Sequence, residues 1–393
     1  MISELVYIPF HDWRKIYAEG NRTRDAHFID KFRTDRDIKK LIILNRPITY
    51  AELFIKKKKV SRKIEGDLVF KSGNGRLYKI DHKTYIIDFF LNQIIKHSIN
   101  EHAWFFEAFG NLKLSNFYYK CLRFCNVQNV SIISANIFSY RFISNKNNRS
   151  RMIFDAWDNF YLMPNFKKIK NQLFDAYKSL SENIELWVTD SEENKLFFIE
   201  KFNVKQIKII KNGVDFNKFT RGLSVPKDLK TVKENNLPIV GFGGKITHLF
   251  DVDLFNYLTE INRNYNFVLV GQILNRRLFS KIKFFKNVYY LGDKKYNEYP
   301  SYVTNFDIGI IPYKTGKNQH GGDCIKAYEY IAAGIIVIGT PGNGLSELEE
   351  YIHIANSKES FSEKIKNGKH LKMLPKGFHS WRLKERELLS LLK

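Results

Sequence analysis

Two glycine-rich turns in the second half of the sequence carry residue types suited to holding phosphate. In the first, Gly243-Gly244-Lys245 closes the apolar run that begins at Pro238. In the second, Gly321-Gly322-Asp323 leads into a predicted helix over Cys324–Ala333, with Lys326 in its first turn and Glu329 further along. Glycine lets a backbone approach an anion closely, the first N–H groups of a helix have no partner within it, and lysine adds a point charge. Such donors stabilise a phosphate whose charge grows as a bond to it breaks. The competing readings are a plain tight turn at Gly243–Lys245, a loop capped by Asp323 and a solvated carboxylate at Glu329. In the first half, Asp155 and Asp158 stand at the end of a predicted strand, where a carboxylate can take the proton of a hydroxyl or merely cap a helix. His11 and Asp12 follow the first predicted strand and are weaker candidates of the same kind, as is His248 beyond Lys245. Arg22, Arg24 and His27 read more simply as a solvated helix face.

The scaffold these residues need is legible from about Leu237 onward. Short Val/Ile/Leu runs at Pro238–Gly244, Phe267–Gly271, Val288–Leu291, Phe306–Pro312 and Ile335–Gly339 alternate with helical patterns at Asp251–Arg263, Asn275–Phe285, Tyr296–Thr304 and Cys324–Ala333. This rhythm predicts a parallel sheet covered on both faces, a doubly wound domain. The first half repeats it less clearly, with strands predicted at Glu4–Ile8, Lys40–Leu44, Asn129–Ser134, Met152–Ala156, Leu186–Thr189 and Ile207–Lys211. Helices are predicted there at Arg22–Phe32, Leu112–Leu122, Lys170–Leu180 and Glu192–Phe202. The polar stretch 212–236, with Asn212-Gly213, Gly222 and Pro226, reads as a linker. The expected fold is therefore α/β, two Rossmann-like doubly wound domains over 1–211 and 237–375 facing across a cleft, followed by a terminal segment over 376–393. Open α/β sheets bind ligands at the carboxyl ends of their strands.

Composition narrows the functional classes. The 393 residues are 44% hydrophobic and 15% aromatic, enough to fill real cores, which excludes a disordered chain. Three cysteines cannot form a disulfide framework and predict a reducing, cytoplasmic setting. Cys121 and Cys125 share a helix face, but no second pair has matching spacing, so no metal site is expected. The N-terminus lacks the basic region of a signal peptide, and no apolar run is long enough to cross a bilayer. The net charge of +23 points to a polyanion, an anionic membrane or an anionic substrate. Basic residues spread along the chain without a nucleic-acid-binding signature argue against nucleic acid. Lys56–Lys59, following Tyr50, Leu53, Phe54 and Ile55, has the composition of an in-plane membrane contact or of a solvated loop.

Several segments, taken in order, resemble the GT-B glycosyltransferases of the group 1 type, which move a sugar from a nucleotide to an acceptor. They are Asn212-Gly-Val-Asp215 with Phe219, Val240-Gly-Phe-Gly-Gly-Lys245, Asn287-Val-Tyr-Tyr-Leu-Gly292, Phe306-Asp-Ile-Gly-Ile-Ile-Pro312, Lys326-Ala-Tyr-Glu-Tyr-Ile-Ala-Ala-Gly334 and His379-Ser-Trp-Arg382. The resemblance is dense over 205–393; earlier, Phe154-Asp-Ala-Trp-Asp158 is similar to bacterial cell-surface polysaccharide transferases. It implies an N-terminal acceptor domain and a C-terminal domain holding a UDP- or other nucleotide-sugar donor through Gly243, Gly244, Lys245, Gly321, Gly322 and Lys326. Glu329 would hold the ribose hydroxyls. It also implies a terminal helix returning to the first domain, with Asp155 and then Asp158 as the catalytic or acceptor-orienting carboxylates. Many retaining members carry a second glutamate where this chain has Gly321. The donor is a substrate, and no separate cofactor is expected. The acceptor would be a lipid-linked or growing cell-surface glycan at the inner face of the membrane. A sugar-nucleotide epimerase of the same fold, or a basic nucleic-acid-binding protein, is the alternative.

Overall fold

The computed structural model describes residues 2–55, 64–93, 100–144, 151–316, 322–375 and 379–393. It divides into two compact units, Met1–Ile210 with Glu385–Lys393, and Lys211–Lys384.

The first unit is built on a ten-stranded sheet. Its strands are β1 Glu4–Ile8, β2 Lys40–Leu44, β3 Ile48–Thr49, β4 Asp67–Ser72, β5 Gly75–Lys79, β6 Thr84–Leu91, β7 Ser131–Ser134, β8 Met152–Asp155, β9 Leu186–Thr189 and β10 Gln206–Ile209. The sheet order is β10-β9-β8-β7-β1-β2-β6-β5-β4, with β3 also on β6. It is parallel from β10 to β6, and the hairpin β4–β5 continues it antiparallel. β1 has β2 on one side and β7 on the other, so the strand order reverses at β1, and the carboxyl edge there is the crevice such sheets offer to ligands. Strands β3 to β6 were not expected from the sequence. β6 is buried along its whole length and mixes aromatic with β-branched residues around Asp88, so it shows neither period that marks an exposed element.

The second unit carries an all-parallel sheet of β11 Ile239–Gly243, β12 Asn266–Val270, β13 Val288–Tyr290, β14 Ile308–Ile311, β15 Ile336–Gly339 and β16 His353–Ile354, in the order β13-β12-β11-β14-β15-β16. Here the reversal falls between β11 and β14. The helix Val252–Ile261 starts where Asp251 accepts from Leu254 N, and it buries Leu254, Phe255 and Leu258. Two predicted helices prove shorter: Asn275 caps only Arg276–Phe279, and Pro300 opens Tyr299–Val303. Residues 212–236, expected as a linker, are part of this unit. Phe219, Leu229 and Val232 lie in its core, and Lys227–Lys233 is helical. Val214 N donates to the His379 carbonyl oxygen at 2.7 Å, tying the Asn212–Asp215 segment to His379-Ser380. The final helix, Trp381–Ser390, begins in the second unit, and its residues from Glu385 onward group with the first.

Candidate functional site

At the carboxyl edge of β11, Gly243 N donates to the Tyr330 hydroxyl at 2.7 Å and Gly244 N to the Val270 oxygen at 2.8 Å. These N–H groups serve the fold, so the contribution of the turn is space. Gly244 has φ +150°, and a Cβ there would lie 2.6 Å from Lys326 Cε. A residue without a side chain at 244 is what lets Lys326 lie across the edge of the sheet. Lys245 follows, half-buried.

The helix Ile325–Ala332 begins one residue later than expected. Its N-cap is Cys324, which makes no side-chain capping bond. Asp323 instead accepts from Asn212 N at 2.7 Å and from the Tyr328 hydroxyl at 2.8 Å, while its carbonyl accepts from Asn212 Nδ2. It anchors the junction segment, and the helix N-terminus keeps its positive end free of a side-chain cap. Lys326 donates to the Tyr313 hydroxyl, lies near Cys324 Sγ at 3.8 Å, and sits 4.7 Å above the Tyr313 ring and 5.5 Å from that of Phe242. Burial works against its charge, yet Cys324 and Tyr313 beside it turn the balance and raise its pKa. Lys326 therefore keeps its charge beside the helix N-terminus.

One turn further on, Glu329 is 4% exposed and accepts from the Tyr296 hydroxyl at 2.8 Å. Burial pushes its carboxyl up to about 7, against the Tyr296 bond and the pull of Lys326 and Lys218. Tyr296 and Tyr299 stack with centroids 6.3 Å apart, and Lys218 stands 5.3 Å from the Tyr296 ring. The competing reading of Glu329 as a solvated surface carboxylate is thereby excluded. Gly322, at φ +103°, belongs to the same entrance, whereas Gly321 lies outside the described residues. Four of the expected phosphate-site residues, Gly243, Gly244, Gly322 and Lys326, thus converge with Glu329 around one helix N-terminus at the sheet reversal. The tyrosines Tyr296 and Tyr313 were missed, because an isolated tyrosine in a loop or strand carries no spacing signal.

The first unit places its candidates differently. Asp155 is buried, and both its oxygens meet Arg24: Nε at 3.1 Å on Oδ2 and a terminal nitrogen at 3.3 Å on Oδ1. Burial raises its pKa and Arg24 opposes the rise. The expected solvated face of Arg22, Arg24 and His27 is corrected: Arg24 and His27 are buried, because Arg24 turns inward onto Asp155, while Arg22 pairs with Glu19. Asp158 stays partly exposed beyond the strand and accepts from Asn159 N at 3.1 Å. Asp12 caps the helix Trp13–Ala18 and pairs with Arg14, which also grips Asp88.

The feature that sequence reasoning undervalued is His11. Its Nδ1 lies 3.0 Å from Asp25 Oδ2, and Asp25 also accepts from the backbone N–H groups of His11 and Ala26 and from the Thr23 hydroxyl. Despite burial, these partners hold the Asp25 carboxyl far below the usual range. A fixed carboxylate on Nδ1 orients the ring, as in sites where an imidazole handles a proton. Trp157 stands 6.2 Å away. His11 lies in the loop after β1 and Asp25 in the first turn of the helix Arg24–Thr34, so no single element's period relates them. Cys121 and Cys125 are buried thiols, with burial pushing Cys125 up to about 11. Lys56–Lys59 lies outside the described residues.

Two doubly wound sheets, the first parallel from β10 to β6 with an antiparallel edge and the second parallel throughout, give the architecture of the GT-B class of fold. Among the solved structures sharing it are Anabaena HepE in complex with UDP, at TM-score 0.65 and 12% identity over 99% of both chains, and a sucrose-phosphate synthase from Thermosynechococcus elongatus, at TM-score 0.69 and 10% identity over 99% of this chain and 98% of that one. A UDP-forming trehalose-phosphate synthase from Burkholderia vietnamiensis matches at TM-score 0.63 and 10% identity, over all of this chain and 95% of the other. In sequence, a putative teichuronic acid biosynthesis glycosyltransferase, TuaH of Bacillus subtilis, is 25% identical over 148 residues, spanning 37% of this chain and 37% of the relative. No family model matches. The expected resemblance therefore holds at the level of fold.

Proposed function

We propose that the protein is a glycosyltransferase that takes a sugar from a nucleoside diphosphate donor and passes it to a glycan acceptor. The observation that carries this reading is the buried Glu329 one turn from Lys326 at the uncapped N-terminus of Ile325–Ala332. The helix end and Lys326 meet a diphosphate that gains charge as the bond from the sugar C1 to the phosphate oxygen breaks. Glu329 accepts from two ribose hydroxyls. The acceptor oxygen bonds to C1 as the bond to the phosphate oxygen breaks, and its proton passes to a base, for which Asp158 and the imidazole of His11, oriented by Asp25, are the candidates. UDP is bound in the HepE structure, and the trehalose-phosphate synthase is described as UDP-forming, which supports testing UDP first. The relative in teichuronic acid biosynthesis supports a cell-surface polymer as the acceptor class.

A membrane-borne acceptor is favoured by the helix Leu112–Phe124. Its outward face presents Leu112, Lys113, Tyr119, Lys120, Arg123 and Phe124, three cations and three large apolar residues, and no carboxylate occurs on the helix. Among the described residues no helix is long and apolar enough to cross a membrane, so this contact would lie in the plane of the inner leaflet. The test of the function is release of nucleoside diphosphate from UDP-, GDP-, CDP- and dTDP-sugars, with and without membrane lipid extract. Turnover of one donor that disappears in Lys326→Ala and Glu329→Ala is expected. Absence of turnover and binding for all donors, or full activity in both variants, would overturn it.

A further inference from the structure

Between Ile261 and Gly292 the sequence holds six arginines and lysines and no carboxylate. The fold gathers five of them on one short stretch of surface. Ile282 is buried in the core of the second unit, and Asn256 clamps the chain on either side of it, its Nδ2 donating to the Lys281 oxygen at 2.9 Å and its Oδ1 accepting from Lys283 N at 2.9 Å. With Ile282 held inward, Arg276, Arg277, Lys281, Lys283 and Lys286 are all exposed. The sixth cation, Arg263, lies 4.2 Å from the Phe285 ring and borders the same surface. Lys283 reaches Glu260 at 3.7 Å, whereas among the described residues Arg276, Arg277, Lys281 and Lys286 have no ion pair. Large apolar side chains stand among these cations. Leu274 is 56% exposed and Phe284 50%. The Phe284 ring meets Phe279 at 5.6 Å and Phe279 meets Tyr290 of β13 at 5.0 Å, so Phe284 is the outer end of an aromatic row that starts at the sheet.

We infer that residues 274–286 bind the anionic lipid surface of a membrane, with Arg276, Arg277, Lys281 and Lys286 among the headgroups and Leu274 and Phe284 inserted at their base. The charge calls for an anionic partner, and the apolar side chains decide which one. A bilayer is anionic at its face and apolar beneath, so it accepts both kinds of side chain at once. A soluble polyanion would match the cations and leave Leu274 and Phe284 in water. This contact lies on the second unit, is distinct from the one proposed for Leu112–Phe124, and does not depend on the transferase chemistry. One interfacial contact holds a chain only marginally, and stable attachment takes two signals.

The test is flotation of the full chain with vesicles of phosphatidylcholine alone or with about one-third phosphatidylglycerol, and a polarity-sensitive dye on Ser280→Cys as a local probe. Ser280 is exposed within the segment, and Cys121, Cys125 and Cys324 are buried, so the dye reports on position 280. Wild type floats with the anionic vesicles only, the dye brightens and shifts to the blue when they are added, and salt reverses both. Arg277→Gln, Lys281→Gln and Lys286→Gln together weaken the partition about a hundredfold, near fivefold per cation, and Phe284→Ser weakens it about tenfold. Wild type that ignores anionic lipid overturns the inference. Flotation with the dye still in water overturns it alone and leaves the Leu112–Phe124 contact standing. If the triple variant loses flotation while Phe284→Ser keeps it, and dextran sulfate displaces wild type from the vesicles, the surface belongs to a soluble polyanion and the lipid assignment falls. A lower melting temperature in the triple variant would assign these cations to the fold and overturn it too. None of these readings uses donor binding or turnover, so failure of the donor site would leave them unaffected.

Discussion

Glu329→Gln should make the ligand-free protein more stable above neutral pH while weakening its hold on nucleotide. The carboxyl titrates near 4.5 in an unfolded chain and at about 7 in the fold. Between those values the native state holds a proton that the unfolded state has released, so the contribution of Glu329 to stability is full below pH 4.5 and is lost as pH rises through 7. A shift from 4.5 to about 7, at roughly 1.4 kcal/mol per unit, puts the cost of the ionised form above pH 7 on the order of 3 kcal/mol. Glutamine keeps an oxygen for the Tyr296 hydroxyl and carries no charge, so it escapes that cost. For a domain of this size, each kcal/mol moves the melting temperature by roughly 2–4 °C. Thermal melts of both proteins from pH 5 to 8.5 should therefore nearly coincide at the acid end and separate by several degrees, the variant higher, at the alkaline end. UDP affinity should fall about tenfold or more in the variant, as a charge-assisted acceptor for the ribose is lost. Parallel melting curves at every pH would show that Glu329 is not the buried, proton-holding carboxyl described here.

Other perturbations probe the remaining parts. Gly244→Ala puts a methyl group 2.6 Å from Lys326 Cε at φ +150°, and should lower the melting temperature and weaken UDP binding together, read by calorimetry and thermal melts. Arg24→Ala leaves Asp155 buried and unpaired, so it should destabilise the first unit by about 3–5 kcal/mol in denaturant titrations, against a much smaller loss for exposed Lys113→Ala. His11→Ala and Asp25→Asn should reduce transfer to a glycan while UDP affinity stays within about twofold, since neither residue belongs to the unit proposed to bind the donor; a parallel fall in UDP affinity would contradict the proposed acceptor-side role. Replacing Lys113, Lys120 and Arg123 with glutamate should abolish flotation with vesicles containing anionic lipid, and added salt should mimic the change for wild type.

The second unit was largely readable because β11, β12, β13 and β15 are apolar runs ending in or just before glycine, and its longer helices bury one regular face; the two-residue β16 was not expected. The helix carrying Lys326 and Glu329 was placed within a residue for that reason. Its surroundings were not readable. Tyr296 reaches Glu329 from 33 positions away, and Tyr313 meets Lys326 across the end of β14, pairings that only the closed sheet creates. In the first unit, the strand Met152–Asp155 was visible as a hydrophobic run, but nothing local announces that Arg24, 131 residues earlier, claims its terminal carboxylate. The same holds for His11 and Asp25, whose ordinary loop and helix contexts conceal a shared buried pair. The hairpin β4–β5 and the buried β6 escaped because aromatic residues there blur the two-residue period.

The central claim places a nucleoside diphosphate at one helix end, and a structure of the protein with UDP bound tests that placement most directly. The diphosphate should lie within hydrogen-bond reach of the backbone N–H groups opening Ile325–Ala332 and of Lys326 Nζ, with both ribose hydroxyls on Glu329. UDP found elsewhere, or Glu329 still bonded only to Tyr296 with UDP present, would contradict it.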